Sequence, residues 1–133
     1  MKYFYILLLM LLPLGLFAQE QQMSPEEAER QLYESIQQQV TRFTDTYKLD
    51  DVQVFFVDSI LVHNYTAMQA GLDELSKAKV SNMDLYYNVR DHWDEETYQA
   101  MLKVLDEKQT VKYLKATKHE KKARDKRMAK YQQ

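Results

Sequence analysis

Over residues 19–133 the chain holds a single glycine, Gly71, and a single proline, Pro25. Tight turns that need positive φ, and the breaks that separate short strands, depend on these two residue types. Their scarcity excludes a turn-dense β-sandwich or barrel and a glycine-rich phosphate loop, and it favours a few long helices. A length of 133 residues permits one domain at most. With no cysteine there is no disulfide framework, thiolate nucleophile, cysteine-based metal site or lipidated cysteine.

The other two breakers, Pro13 and Gly15, lie in a segment of different character. Met1-Lys2 supplies a positive start, Tyr3 to Leu12 is an apolar run, and Phe17-Ala18 leads into Gln19-Glu20-Gln21-Gln22. A charged start, a short apolar core and a small residue before the cut are the layout of a secretory signal peptide. The apolar stretch is about 16 residues with a proline inside, short of the roughly 20 needed to cross a bilayer. The expectation is a signal peptide over 1–18, cleaved after Ala18, and a single exported all-helical domain over 19–133 with no membrane span after cleavage. An uncleaved anchor is the alternative. A small exported domain without disulfides must be held by helix packing or self-association.

Helical periodicity runs through the rest. Ser24-Pro25-Glu26-Glu27 is a capping box with proline at the first helical position. Behind it Leu32, Ile36, Val40, Phe43 and Tyr47 recur at spacings of three and four. A second start at Leu49-Asp50-Asp51-Val52-Gln53 opens a heptad-like seam of Val54, Val57, Leu61, Tyr65, Met68, Leu72 and Leu75. The run Val52 to Val57 has strand propensity, but the length of the uninterrupted pattern decides for helix. Val52, Phe55, Phe56, Ile60 and Val62 fall outside the seam, so this helix is apolar on two faces. Phe55 and Phe56 either fill the core between the first and third helices or form a binding surface. A loop over Lys77 to Met83, capped by Ser81, leads to a third helix with Tyr86, Tyr87, Trp93 and Met101. Asp94-Glu95-Glu96-Thr97 could restart that helix, which predicts a kink or short break near Asp91 to Asp94. The last helix starts at Leu105-Asp106-Glu107-Lys108-Gln109 and uses Val111 and Leu114 as its apolar residues.

From Lys112 onward nine Lys or Arg face only Glu120 and Asp125, a net of +7, whereas residues 19–111 carry eight basic and 18 acidic groups, a net of −10. Such a dipolar chain can pair with itself head to tail or antiparallel. Lys118, Lys121, Lys122, Arg124, Lys126, Arg127 and Lys130 make up a basic tail that is either a solvated helix end or a docking segment for an acidic partner. It lacks interleaved aromatics, which argues against nucleic acid.

Two helix starts share the pattern Leu-Asp-x-x-Gln: Leu49, Asp50 and Gln53, and Leu105, Asp106 and Gln109. Two copies in a small, exported, all-helical chain resemble the Spy/CpxP-like family, known for paired LTxxQ motifs. The leader ending Leu-Phe-Ala-Gln resembles exported proteins of Bacteroidota. The motif threonine is Asp in both copies, and Asp caps a helix as Thr does. The resemblance covers about residues 24–130. It implies an all-α fold of about four helices in hairpins, an elongated protomer and a thin, curved antiparallel homodimer in the periplasm. It also implies one of three roles: an ATP-independent chaperone, an accessory regulator of an envelope-stress sensor, or a zinc-responsive protein. In that setting the motif residues hold helix ends and loops.

Chemistry-bearing constellations are sparse. The three histidines, His63, His92 and His119, form no metal-ligand spacing, and only Asp91, His92, Asp94 and Glu95 cluster in sequence. Ser and Thr lack a paired base, so no nucleophilic triad, enzyme activity or cofactor is expected. Asn64-Tyr65-Thr66 matches a glycosylation acceptor inside a predicted helix. The leading expectation is a holdase that binds unfolded or partly folded envelope proteins through Val52, Phe55, Phe56, Ile60, Tyr86, Tyr87 and Trp93. The alternative is a regulator that docks one specific partner through the basic tail.

Overall fold

The computed structural model describes residues 23–131. The proposed leader, residues 1–18, lies outside them. Four helices make up the described chain: α1, Pro25–Tyr47; α2, Asp51–Lys77; α3, Met83–Val104; and α4, Glu107–Tyr131. No strand occurs among the described residues, and the run Val52–Val57 is helical. None of these helices is long and apolar enough to cross a membrane.

The chain divides into two units, Met1–Tyr33 and Glu34–Gln133, with the division inside α1. In the first, Ser24 Oγ accepts the Glu27 amide at 3.2 Å, the cap expected ahead of Pro25. The second holds the rest of α1 and the other three helices.

Within the second unit α2 and α3 form the closest pair. Gly71 permits this approach, because a Cβ at that position would lie 3.1 Å from Val89 Cγ1. Val57 and Leu61 of α2 and Met101 of α3 are fully buried, joined by Ile36, Val40 and Tyr47 of α1, Leu105, and Tyr113 of α4. Each such side chain contributes roughly 1.5–3 kcal/mol of transfer free energy. The α2 seam read from the sequence is the inward row, buried or half-buried at every position from Val54 to Leu75.

Helix ends are closed by lysines in place of glycines. Lys48 (φ 54°) ends α1, and Lys79 (φ 56°) follows α2. The amides beyond them return to carbonyls five residues back, Leu49 to Thr44 at 3.1 Å and Val80 to Leu75 at 3.0 Å, as in a Schellman closure.

Several expectations are corrected. Asn82 caps α3, its side chain accepting the Asp84 amide at 3.0 Å, because it lies one residue nearer the first turn than Ser81. No break occurs near Asp91 to Asp94: the helix runs through them, and α4 binds Asp91 and, of the carboxylates that suggested a restart, Glu95. Val111 and Leu114 are exposed, and Tyr113 supplies the buried contact of that turn. Phe55 and Phe56 do not fill the core; both are exposed.

Candidate functional site

The two Leu-Asp-x-x-Gln motifs meet. Each first closes its own capping box. Asp50 Oδ1 accepts the Gln53 amide at 2.8 Å and Gln53 Oε1 accepts the Asp50 amide at 3.0 Å. Asp106 and Gln109 repeat this at 2.8 and 2.9 Å. The glutamines then bond to each other: Gln53 Nε2 donates to Gln109 Oε1 at 2.6 Å, and Gln109 Nε2 donates back to Gln53 Oε1 at 3.2 Å. Each amide also reaches the end of the helix that precedes the other motif. Gln53 Nε2 donates to the Val104 carbonyl at 3.1 Å, and Gln109 Nε2 to the Tyr47 carbonyl at 3.0 Å. A carboxamide offers two donors and an acceptor at this reach, so each glutamine serves its own cap, the other glutamine and the opposite helix end at once. The arrangement is a clasp between the α1–α2 and α3–α4 corners.

Exposed apolar side chains flank that clasp. Val52, Phe55 and Phe56 lie at i, i+3 and i+4 on the first turns of α2 and are 65 %, 66 % and 48 % exposed. The two phenyl rings meet edge to face at 5.7 Å. Val111 and Leu114, on the first turns of α4, are exposed beside the partner motif. Val111 follows Gln109 by two residues, as Phe55 follows Gln53.

Of the remaining residues of the expected surface, Ile60 follows Phe56 by one turn on the same face of α2, and the other three are on α3. Ile60, Tyr86 and Trp93 are half-buried and Tyr87 is exposed. The Tyr86 hydroxyl donates to the Val80 carbonyl at 2.8 Å. Trp93 is edge-on to His92 and His63 at 4.9 and 6.0 Å. The Gly71–Val89 approach and the Asn64–Thr97 hydrogen bond set the antiparallel register of α2 and α3. That register puts Tyr87 roughly 27 Å along the hairpin from Phe55, at 1.5 Å per residue. Two separate patches therefore exist instead of one surface. Asn64 of the glycosylation triplet is itself buried.

The basic tail divides by face. Lys121, Arg124 and Arg127 turn inward to α3. Glu95 accepts from Lys121 at 2.7 Å and from Arg124 at 2.9 Å, while Asp91 accepts from Arg127 Nη2 at 2.8 Å and Nε at 2.9 Å. Asp91 is 2 % exposed, so that bidentate pair neutralises a buried carboxylate. At Glu95 partial desolvation raises the pKa, but hydrogen bonds from Lys121, Gln99 and Arg124 and the charge of Lys121 outweigh it, leaving about 2. Lys118, Lys122, Lys126 and Lys130 remain exposed, one per helical turn. Sequence reasoning treated all seven cations as one tail. The signal for the split was the i, i+4 pair Asp91/Glu95 facing the i, i+3, i+6 set Lys121/Arg124/Arg127 across an antiparallel corner.

The acidic turn does not converge on a point. Asp91 and Glu95 are held by α4 cations, and His92 lies against Trp93. Among the described residues no group of three or more His, Cys, Asp or Glu is placed to hold a metal ion.

No protein-family model matches the chain, and no curated protein or solved structure does. The family resemblance therefore rests on the two motifs and the helical layout.

Proposed function

We propose that the protein is an ATP-independent, chaperone-like binder of unfolded or partly folded polypeptides in the periplasm. The observation that carries this reading is the exposed Val52, Phe55 and Phe56 face beside the clasp. A helix start that is fixed by its own capping box and by the clasp yet leaves two phenyl rings in water offers apolar area at little ordering cost. Clients bind there weakly and without nucleotide, and the exposed lysines of α4 attract acidic clients over a distance set by salt screening. The working form is a thin, curved antiparallel homodimer of elongated protomers, which the charge asymmetry between residues 19–111 and 112–133 supports.

The test is light scattering of two unrelated unfolding clients, with wild type and with Phe55→Ser/Phe56→Ser. The reading expects suppression of both clients by wild type and its loss in a variant that keeps its helicity. Absence of suppression by wild type overturns it.

A second reading is a regulator, of the envelope-stress or zinc-responsive kind, that docks one partner. The row Lys118, Lys122, Lys126 and Lys130 favours it, since those four cations are exposed. It predicts that unrelated clients are ignored and that substitution of this row abolishes the single interaction.

A further inference from the structure

A cavity of about 440 Å³ lies among the four helices, away from the apolar face at the clasp. Its size falls in the range of small-molecule sites. On the α4 side Ala116 and Ala123 line it, and their short side chains leave the space open. Five aromatic rings, Phe43, Tyr47, Tyr65, Tyr98 and Tyr113, share the wall with the polar Gln39, Thr97 and Thr117. Four of these rings form a continuous series, with Phe43–Tyr47, Tyr47–Tyr113 and Tyr113–Tyr98 each at 5.7 Å between centroids.

The charges around these rings are unevenly satisfied. Arg124 and Arg127 also line the cavity, but each is already neutralised, by Glu95 at 2.9 Å and by Asp91 at 2.8 Å. Asp94 and Glu120 stand exposed at the rim, and among the described residues neither makes an ion pair or hydrogen bond. Crowding partly desolvates the Asp94 carboxyl and pushes its pKa up; Arg124 opposes this, while Asp91 and Glu120 add to it. The Tyr65 hydroxyl is raised by burial and then by those same two rim carboxylates. The wall thus presents two carboxylates that hold no ion pair or hydrogen bond, Asp94 feeling Arg124 and Arg90 only through their fields, while both of its arginines are paired.

Aromatic faces beside free carboxylates are the surroundings that hold an organic ammonium. The protein's own cations already use these rings: Lys121 Nζ and Arg124 Cζ lie 5.1 and 5.5 Å from the Tyr98 centroid, and Lys112 Nζ lies 5.8 Å from that of Tyr47. A bare metal ion fits poorly, because among the described residues no third His, Cys, Asp or Glu joins the two carboxylates.

We propose that this cavity is a binding site for a small organic cation, an ammonium bearing methyl or methylene groups. Its charge sits between Asp94 and Glu120 at the rim, and its alkyl part lies against Tyr65, Tyr98 and Tyr113. The site is independent of client binding at the clasp.

Choline is the probe, with 3,3-dimethylbutan-1-ol as its neutral isostere and benzoate as an anion of comparable size. Each is titrated into the purified protein while the tyrosine side-chain resonances are followed by NMR. The expected result is saturable binding of choline with movement of the Tyr65, Tyr98 and Tyr113 signals. The isostere should bind at least about tenfold more weakly, and benzoate more weakly still. Asp94→Asn/Glu120→Gln should weaken choline by about tenfold or more with the fold intact, and Ala116→Leu/Ala123→Leu should block it by filling the space. Equal binding of the isostere, preference for benzoate, unchanged affinity in the carboxylate variant, or no saturation by roughly 10 mM choline each overturns the proposal. If a variant loses helicity, the comparison of the three probes on wild type still decides.

Discussion

Replacing Gln53 by alanine removes its bonds to the Asp50 amide and the Val104 carbonyl and both bonds to Gln109. A protein hydrogen bond contributes about 0.5–1.5 kcal/mol net, with the upper values where water cannot replace it. The Asp50 amide is exposed and is re-solvated cheaply, whereas the bonds to Val104 and Gln109 are part-buried. The cost of Gln53→Ala is therefore about 2 kcal/mol. Gln109→Ala loses the matching set, to Asp106, Tyr47 and Gln53, and should cost the same.

The sharper quantity is the coupling. Both singles delete the same Gln–Gln pair, so the double variant should cost about 3 kcal/mol where independent sites would give about 4. Urea denaturation of the four proteins, followed by far-ultraviolet circular dichroism, gives the cycle directly. In melting temperature 1 kcal/mol corresponds to about 4 °C for a domain of this size. Additivity within about 0.3 kcal/mol would refute the clasp and leave two unrelated N-caps that happen to be neighbours. Asp50→Thr and Asp106→Thr serve as controls, because Thr keeps the cap and should cost less than about 1 kcal/mol each.

The Glu95 carboxyl lies near 2 in the folded protein against an ordinary 4.5, so its stabilisation is complete above pH 4.5 and is lost as pH falls towards 2. Glu95→Gln should cost about 1–2 kcal/mol at pH 7 once solvent screening is allowed for, and the difference should vanish across that window in urea melts. Arg127→Met leaves the buried Asp91 carboxylate unpaired and should cost about 2–4 kcal/mol, whereas Asp91→Asn leaves only a half-exposed guanidinium and should cost about 1 kcal/mol; equal effects would contradict the burial difference. Asp94 has a raised pKa, so its ionised form is disfavoured by folding and its contribution worsens as pH rises. Asp94→Asn should therefore raise the melting temperature at pH 7 and leave it nearly unchanged at low pH, and a lower melting temperature at pH 7 would contradict this.

Both motif helices were legible because their signal is local: a cap residue and a glutamine three positions later satisfy amides of the same turn. Val54 to Leu75 faced inward as its spacing indicated, since packing rewards one continuous row. The Ser81/Asn82 ambiguity was not legible, because adjacent residues with similar capping ability differ only in which one the loop brings into register. The clasp was not legible either. Gln53 and Gln109 are far apart in sequence, and nothing in either five-residue pattern says that the two corners meet. Phe55 and Phe56 were undecided for a related reason. Periodicity identifies two apolar faces on α2 but not which one finds a partner, and Val57 and Leu61 took the core instead.

The charge asymmetry shows how a correct count can mislead about location. A net of −10 followed by +7 invites pairing between molecules, yet part of it is spent inside the chain. Asp91 and Glu95 absorb Lys121, Arg124 and Arg127, which converts the inner face of α4 from a charged tail into a packed helix ending only at Tyr131. The cations left for partners are those on the outer face, spaced one per turn and each exposed, where ion pairs are weak and salt-sensitive. On the proposed reading their contribution is to the rate and breadth of encounter, and affinity comes from apolar area, which the described chain displays at the first turns of α2 and α4. On the chaperone reading proposed above, this division assigns recruitment to the basic face and holding to the phenyl face, and it predicts many weak partners in place of one tight one.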